Sequence, residues 1–198
     1  VAESVKNFNP PKLEIPFGEK KILLHCCCAP CSSAIVECLL ANSARPTLFY
    51  FNPNIYPRQE YEKRRDESLR HAQSLGLECV EADCGHETWI DFVKGLEREP
   101  ERGARCSKCF EMRLLATAKY AAENGFKVFA TTLASSRWKD ISQINSAGKA
   151  ASEKYPQTFF WAQNWRKGGL YERRNELLKE YGFYNQQYCG CEFSIRKT

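Results

Sequence analysis

Eleven cysteines in 198 residues are the groups best suited to chemistry, and most of them are clustered. Cys26, Cys27, Cys28 and Cys31 share the turn KILLHCCCAPC (Lys21–Cys31), Cys106 and Cys109 form a CxxC pair, and Cys189 and Cys191 flank Gly190. A core has no use for so many adjacent thiols. Tetrahedral sulfur sets suit zinc and iron–sulfur clusters alike. The first two clusters each fall where a helix is expected to begin, and a helix N-terminus favours the thiolate. Brought to one sheet edge, they would supply four sulfurs to one centre.

The individual cysteines differ in their readings. Cys26 continues the alternation of a strand and reads as a small buried hydrophobe. Cys27, Cys28, Cys106 and Cys109 read as ligands. Cys31 is open between a cluster ligand, a ligand to a second metal and a close neighbour. Cys38 and Cys79 belong to expected core faces, and Cys84 at a strand end is ambiguous. The Cys189-Gly-Cys191 pair can close only a small strained ring, which Gly190 permits, and strained disulfides are the electron-exchanging kind. A redox pair is the leading reading, with cluster ligation second. His25 beside the cysteines, and Asp83 and His86 near a strand end, are candidate proton donors. His71, on a charged helix, reads as a surface residue.

The elements that would position these groups alternate. Strands are expected at Lys21–Leu24, Pro46–Phe51, Leu77–Glu81, Lys127–Leu133 and Thr158–Trp161, with helices between and after them. Ser32 or Ser33 is the expected cap of the first helix. Such alternation implies right-handed βαβ crossovers and a mostly parallel sheet, with the metal site at the carboxyl ends of the strands. The expectation is an N-terminal arm (residues 1–20) and one Rossmann-like α/β domain (21–198) ending in a redox tail.

Composition excludes some classes. The 43% apolar and 27% charged residues are those of a soluble globular protein, and no apolar run is long enough for a membrane span. The N-terminal stretch lacks the layout of a secretory signal, and an odd cysteine count argues against a disulfide framework. A cytoplasmic setting is expected. Neither a GxxxxGK[ST] loop nor a GxGxxG fingerprint is present, so nucleotide cofactors lack motif support. The net charge of +5 permits an anionic partner. Arginines beside aromatics in Tyr56–Arg65, Ser135–Lys139 and Asn164–Arg174 suit phosphate contact and base stacking.

Five blocks resemble one family. HxCCAPC (His25–Cys31), FYFNPNIYPxxEYEKRR (Phe49–Arg65), RCxKCFxxRL (Arg105–Leu114), TTLASSRWKD (Thr131–Asp140) and CGCEFS (Cys189–Ser194) are similar to the cobalamin-independent, QueH-type epoxyqueuosine reductases. The resemblance implies reduction of the epoxide of epoxyqueuosine at the wobble position of tRNA, the last step of queuosine synthesis. It implies a [4Fe–4S] cluster on Cys27, Cys28, Cys106 and Cys109. Cys31 is then a further ligand to the cluster or to a second iron or zinc ion. The family's redox-active pair matches Cys189 and Cys191. An external electron donor is required, with Asp83, His25 or His86 delivering protons. Arg137, Trp138, Arg173 and Arg174 are expected to hold the anticodon stem-loop.

Three other readings share these cysteines. An iron–sulfur sulfur-transfer enzyme acting on tRNA would need ATP, for which no phosphate loop exists. A zinc-stabilised RNA-binding module would be colourless, whereas a [4Fe–4S] protein is brown. A thioredoxin-like reductase needs only one CxxC.

Overall fold

A computed structural model describes residues 8–195. Five strands form one parallel sheet: β1 (Lys21–Cys26), β2 (Arg45–Tyr50), β3 (Cys79–Glu81), β4 (Val128–Thr131) and β5 (Phe159–Phe160). The spatial order is β3-β2-β1-β4-β5. The chain leaves β1 towards β2 and β3, then returns to lay β4 on the other side of β1. The reversal opens a crevice at the carboxyl ends of β1 and β4, where ligands bind in open α/β sheets.

β1 is the central strand and is buried on both faces, as parallel strands between helical layers are. Ile22, Leu24 and Cys26 enter one core and Leu23 the other. The first core lies under α1 (Ala29–Ala41), α2 (Arg58–Ser74) and α6 (Leu170–Glu180), which contribute Ile35, Leu39, Ala72 and Leu177. The second lies under α4 (Ala104–Glu123) and α5 (Ile141–Lys154), which contribute Leu114, Ala118, Ile144 and Ala151. The short α3 (His86–Phe92) builds a third cluster, in which Trp89 and Val93 pack against Cys109 and Cys191. Among the described residues no helix is long and apolar enough to cross a membrane.

Several expectations change here. α1 begins at Ala29, with Cys28 in the N-cap position and Pro30 in the first turn, where its missing N–H costs nothing. Ser32 and Ser33 therefore lie inside the helix, and Ser32 Oγ donates to the carbonyls of Cys28 and Ala29 (both 3.1 Å). The expected arm falls partly on residues 1–7, outside the described residues. Of the rest, Phe8, Leu13 and Ile15 pack on the first core, and Leu13 N–H donates to Asn42 Oδ1 (2.9 Å).

His71 is buried rather than exposed, edge-on to Tyr181 and Phe183 (ring centroids 5.2 and 5.0 Å). The charged pattern of α2 concealed this, because the segment after α6 folds back over the helix and covers that position. Burial lowers the imidazole pKa to about 4. The unfolded chain binds a proton at His71 below about pH 6.5 that the folded chain refuses until about pH 4. His71's share of stability is thus complete above pH 6.5 and lost as pH falls towards 4. His71→Leu is expected to lose about 1–2 kcal/mol less stability than the wild type between pH 7 and pH 5, measured by urea unfolding.

Candidate metal centre

Three thiols converge where β1 gives way to α1. The sulfurs of Cys27, Cys28 and Cys31 lie within 4.8 Å of one another. Cys27 and Cys28 are buried and their sulfurs are 3.8 Å apart. The neighbouring strand end holds Cys27 from the other side: its N–H donates to Thr132 Oγ1 (3.3 Å), and the Thr132 hydroxyl reaches its sulfur (3.6 Å). Hydrogen bonds from Cys28 and Cys31 hold the Cys27 thiol well below the ordinary range, against the effect of burial. The same sharing pushes Cys28 upward and raises Cys31 to about 11. The trio therefore favours one thiolate, at Cys27, and resists carrying two without a cation.

The CxxC pair approaches from α4. Cys106 opens onto the same cavity as Cys27 and Cys31, and its sulfur accepts the Arg102 N–H (3.3 Å). Cys109 is buried one turn on, beside Arg113 (Nη1 to Sγ 4.0 Å). The metal-capable trio includes neither of them. Burial pushes both thiols upward, opposite to the lowering expected at a helix start. Cys26 is fully buried core, and Cys84 is exposed.

Positive charge is built in beneath the sulfurs. Arg113 is 2% exposed and makes no ion pair with a carboxylate among the described residues. Its guanidinium donates to Asn52 Oδ1, and Asn52 Nδ2 donates to the Cys26 carbonyl (3.0 Å). A buried cation without an acid is costly, so thiolates around an anionic metal–sulfur centre fit this setting. Lys139 supports the same fit. It is half-buried in the cavity wall, and although burial acts against its charge, Cys189, Cys27 and Cys31 drive its pKa up.

The cavity measures about 770 Å³. Cys27, Cys31, Cys106 and Cys189 face it, and Arg64, Arg102, Arg137, Lys139 and Arg174 outnumber the carboxylates of Glu101 and Asp140. Asp140 is occupied as the cap of α5, accepting from Ser142 N–H (2.7 Å) and Gln143 N–H (3.3 Å).

The tail carrying Cys189 and Cys191 is clamped against this wall. Buried Arg64, paired with Glu60, donates to the carbonyls of Tyr188 and Cys189 (both 3.2 Å). Gly190 adopts φ +115° and passes so close to Ile55 and Arg64 that a Cβ would crowd both. Gln186 Nε2 donates to Cys28 Sγ (3.2 Å) and Cys31 Sγ (3.6 Å), joining the tail to the trio. Both tail cysteines are free thiols, and Cys191 is buried, which raises its pKa to about 12.

The expected proton donors do not reach the cavity. His25 is fully buried, with Nδ1 at 2.8 Å from Thr131 Oγ1 and Nε2 at 3.2 Å from the Phe51 carbonyl. Burial, then Arg113, lowers its pKa to about 3, so it is neutral and locks β1 to its neighbours. Asp83 lies in a separate small pocket and pairs with Arg58 (2.9 Å). His86 lines that same pocket and is held by Glu192 (2.7 Å) and the Pro53 carbonyl (2.8 Å). Of the four expected RNA contacts, Arg137, Trp138 and Arg174 border the cavity, with Trp138 75% exposed. Arg173 does not. It is 5% exposed and forks onto Glu37 (2.7 and 2.9 Å), because its position on α6 faces α1.

Sequence reasoning passed over Arg113, Lys139 and Gln186 as site residues. Arg113 lies four residues after Cys109, on the same helix face, and that spacing was the available signal. Lys139 stood within a quoted block, and nothing local marks Gln186.

The sequence matches the family model described as Epoxyqueuosine reductase QueH over residues 22–197. It is 49% identical over 191 residues to the epoxyqueuosine reductase QueH of Histophilus somni, covering 96% of this chain and 79% of that protein. It is 48% identical to that of Haemophilus influenzae over 187 residues, covering 94% and 76%. A relative named alike in Thermotoga maritima is 37% identical over 177 residues, covering 88% and 90%. Among solved structures, the U34-tRNA thiolase NcsA from Methanococcus maripaludis with its [4Fe-4S] cluster superposes with a TM-score of 0.59 at 14% identity. The match covers 89% of this chain and 61% of that one, a likeness of fold.

The reassignment of Arg173 has a direct consequence. Arg173→Met leaves Glu37, which still reaches water, without its partner. It is expected to cost about 1–3 kcal/mol of stability in denaturant unfolding, whereas Arg137→Ala stays within about 0.5 kcal/mol.

Proposed function

The chain belongs to the epoxyqueuosine reductase QueH family of oxidoreductases, and from that premise we propose how its residues divide the work. The substrate is the epoxide of epoxyqueuosine at the wobble position of a tRNA anticodon, which becomes the alkene of queuosine. One observation carries the reading: the Cys27, Cys28 and Cys31 trio shares a single cation-rimmed cavity with Cys106 and Cys189. A polyanion with a small reactive ring at its tip fits that combination.

Cys27, Cys28, Cys106 and Cys109 hold a [4Fe–4S] cluster, and Cys31 is left for a second iron or zinc ion. When bound, the cluster supplies single electrons and a Lewis-acidic iron. Arg113 and Lys139 offset the negative charge of the sulfurs. Cys189 and Cys191 exchange two electrons as a dithiol–disulfide pair, refilled by an external donor, and Arg64 keeps them at the cavity wall. Arg137, stacked over Tyr171 (4.2 Å to the ring centroid), and Arg174 take anticodon phosphates. Trp138 offers its exposed indole to a base. Residues 21–198 act as one reductase domain in the cytoplasm, where tRNA is modified.

Anaerobically purified protein is expected to contain about four irons and four acid-labile sulfides per chain, and more iron if the second site is filled. It should remove one oxygen from epoxyqueuosine in tRNA, read by mass spectrometry of the nucleosides. Zinc without sulfide would overturn the cluster assignment. Cys189→Ser should slow multiple turnover by about tenfold or more, and full turnover with the physiological donor would remove the pair from the scheme. Trp138→Ala should weaken tRNA binding by about 1–3 kcal/mol without changing iron content.

A further inference from the structure

Every sulfur assigned to metal accepts a hydrogen bond, and the donors differ. Thr132 serves Cys27, Arg102 serves Cys106 and Arg113 serves Cys109. Cys28 and Cys31 share one donor, Gln186 Nε2, at 3.2 and 3.6 Å. Apart from the trio's own thiols, no other donor reaches these two sulfurs among the described residues. The opposite end of the carboxamide has no such role. Gln186 Oε1 is buried without a partner among the described residues, so the sulfurs alone orient the side chain.

The backbone beneath Gln186 is braced on both sides by one helix. Before it, Tyr184 N–H donates to Glu67 Oε1 (2.8 Å) and Tyr184 Oη to Glu60 Oε2 (3.1 Å). After it, Arg64 Nη2 donates to the Tyr188 carbonyl (3.2 Å). Glu60, Arg64 and Glu67 all belong to α2. The carboxamide is therefore delivered to the sulfurs from a fixed segment, the one that leads into Cys189.

A free thiol can give or take a hydrogen bond, but a sulfur bound to metal only accepts. The amino end of Gln186 meets that condition. An N–H aimed at a ligand sulfur stabilises the electron-rich form of a metal centre more than the electron-poor form. Hydrogen bonds to sulfur are accordingly among the determinants of a reduction potential.

We propose that Gln186 is a positioning residue of the reductase, bridging the Cys28 and Cys31 sulfurs through its amino group and raising the reduction potential of the centre they hold. This rests on the reductase reading and on its cluster assignment. Gln186 itself exchanges neither protons nor electrons. It changes how readily the centre accepts one electron from the external donor.

The test uses anaerobic holoenzyme, with iron and sulfide content, unfolding midpoint, tRNA affinity and turnover measured on each variant. Potentiometric titration followed by electron paramagnetic resonance reads the one-electron potential. Gln186→Leu removes the donor at similar volume. It is expected to make reduction about tenfold less favourable, a shift of about 59 mV to lower potential. Gln186→Glu keeps the shape but replaces the N–H by an acceptor, so its potential should fall at least as far. Iron content and tRNA affinity are expected to hold in both. Wild type labelled with ¹⁵N in its glutamine side chains should show a nitrogen coupled to the reduced centre, and Gln186→Leu should lose that signal.

An unchanged potential in both variants would overturn the inference, and with weakened tRNA binding it would make Gln186 a substrate contact instead. Loss of the iron from both would overturn it as well, leaving a support of the metal site rather than a tuning residue. Wild type holding zinc without sulfide would overturn the cluster assignment and this inference together. A cluster-bearing wild type inactive on epoxyqueuosine tRNA would overturn the reductase reading, while lowered potentials in the variants would still support the tuning role.

Discussion

The guanidinium of Arg113 is buried without a carboxylate, and much of the site is arranged around that charge. It reaches Asn52 after β2 and Cys109 on α4, while Asn52 in turn holds the Cys26 carbonyl at the end of β1. One side chain thus ties three elements together at the crevice. The cost of an unpaired interior cation falls when the anions nearby are thiolates, so charge and thiols belong to one design. Burial, reinforced by this charge, keeps His25 neutral, leaving it a structural bridge between β1, Thr131 and Phe51.

The C-terminal tail is the second consequence of buried charge. Arg64 leaves the polar surface of α2, pairs with Glu60 and spends its remaining donors on the Tyr188 and Cys189 carbonyls. Gln186 reaches the sulfurs from the same segment, and His86 holds Glu192 just beyond Cys191. A segment whose only regular structure is a single 3-10 turn (Glu192–Ser194) is thereby placed to within hydrogen-bond distances. That placement is what a redox pair needs to serve a neighbouring centre.

Arginine has two uses in this chain, and burial separates them. Arg64, Arg105, Arg113 and Arg173 are interior side chains that hold loops, carbonyls and carboxylates. Arg137 and Arg174 border the cavity and meet solvent, with Trp138 exposed between them and the lysine that follows. Composition counts both kinds as basic, but only the second kind is available to a polyanion.

By itself the sequence determined the alternation of strands and helices, the parallel sheet with cysteines at its carboxyl edge, and the family. These are local properties: apolar runs bounded by turns, a strand running into a thiol cluster, and blocks of adjacent residues. The tertiary structure decided what depends on residues distant in the chain. It buried His25 and His71, turned Asp83 into another pocket, and moved Arg173 from the surface to an ion pair with Glu37. It also brought Lys139 into the cavity wall and Gln186 to the sulfurs, across separations that no spacing rule spans. Whether a charged side chain faces water or an opposite charge is set by the elements packed against it, and those are fixed only when the chain has folded.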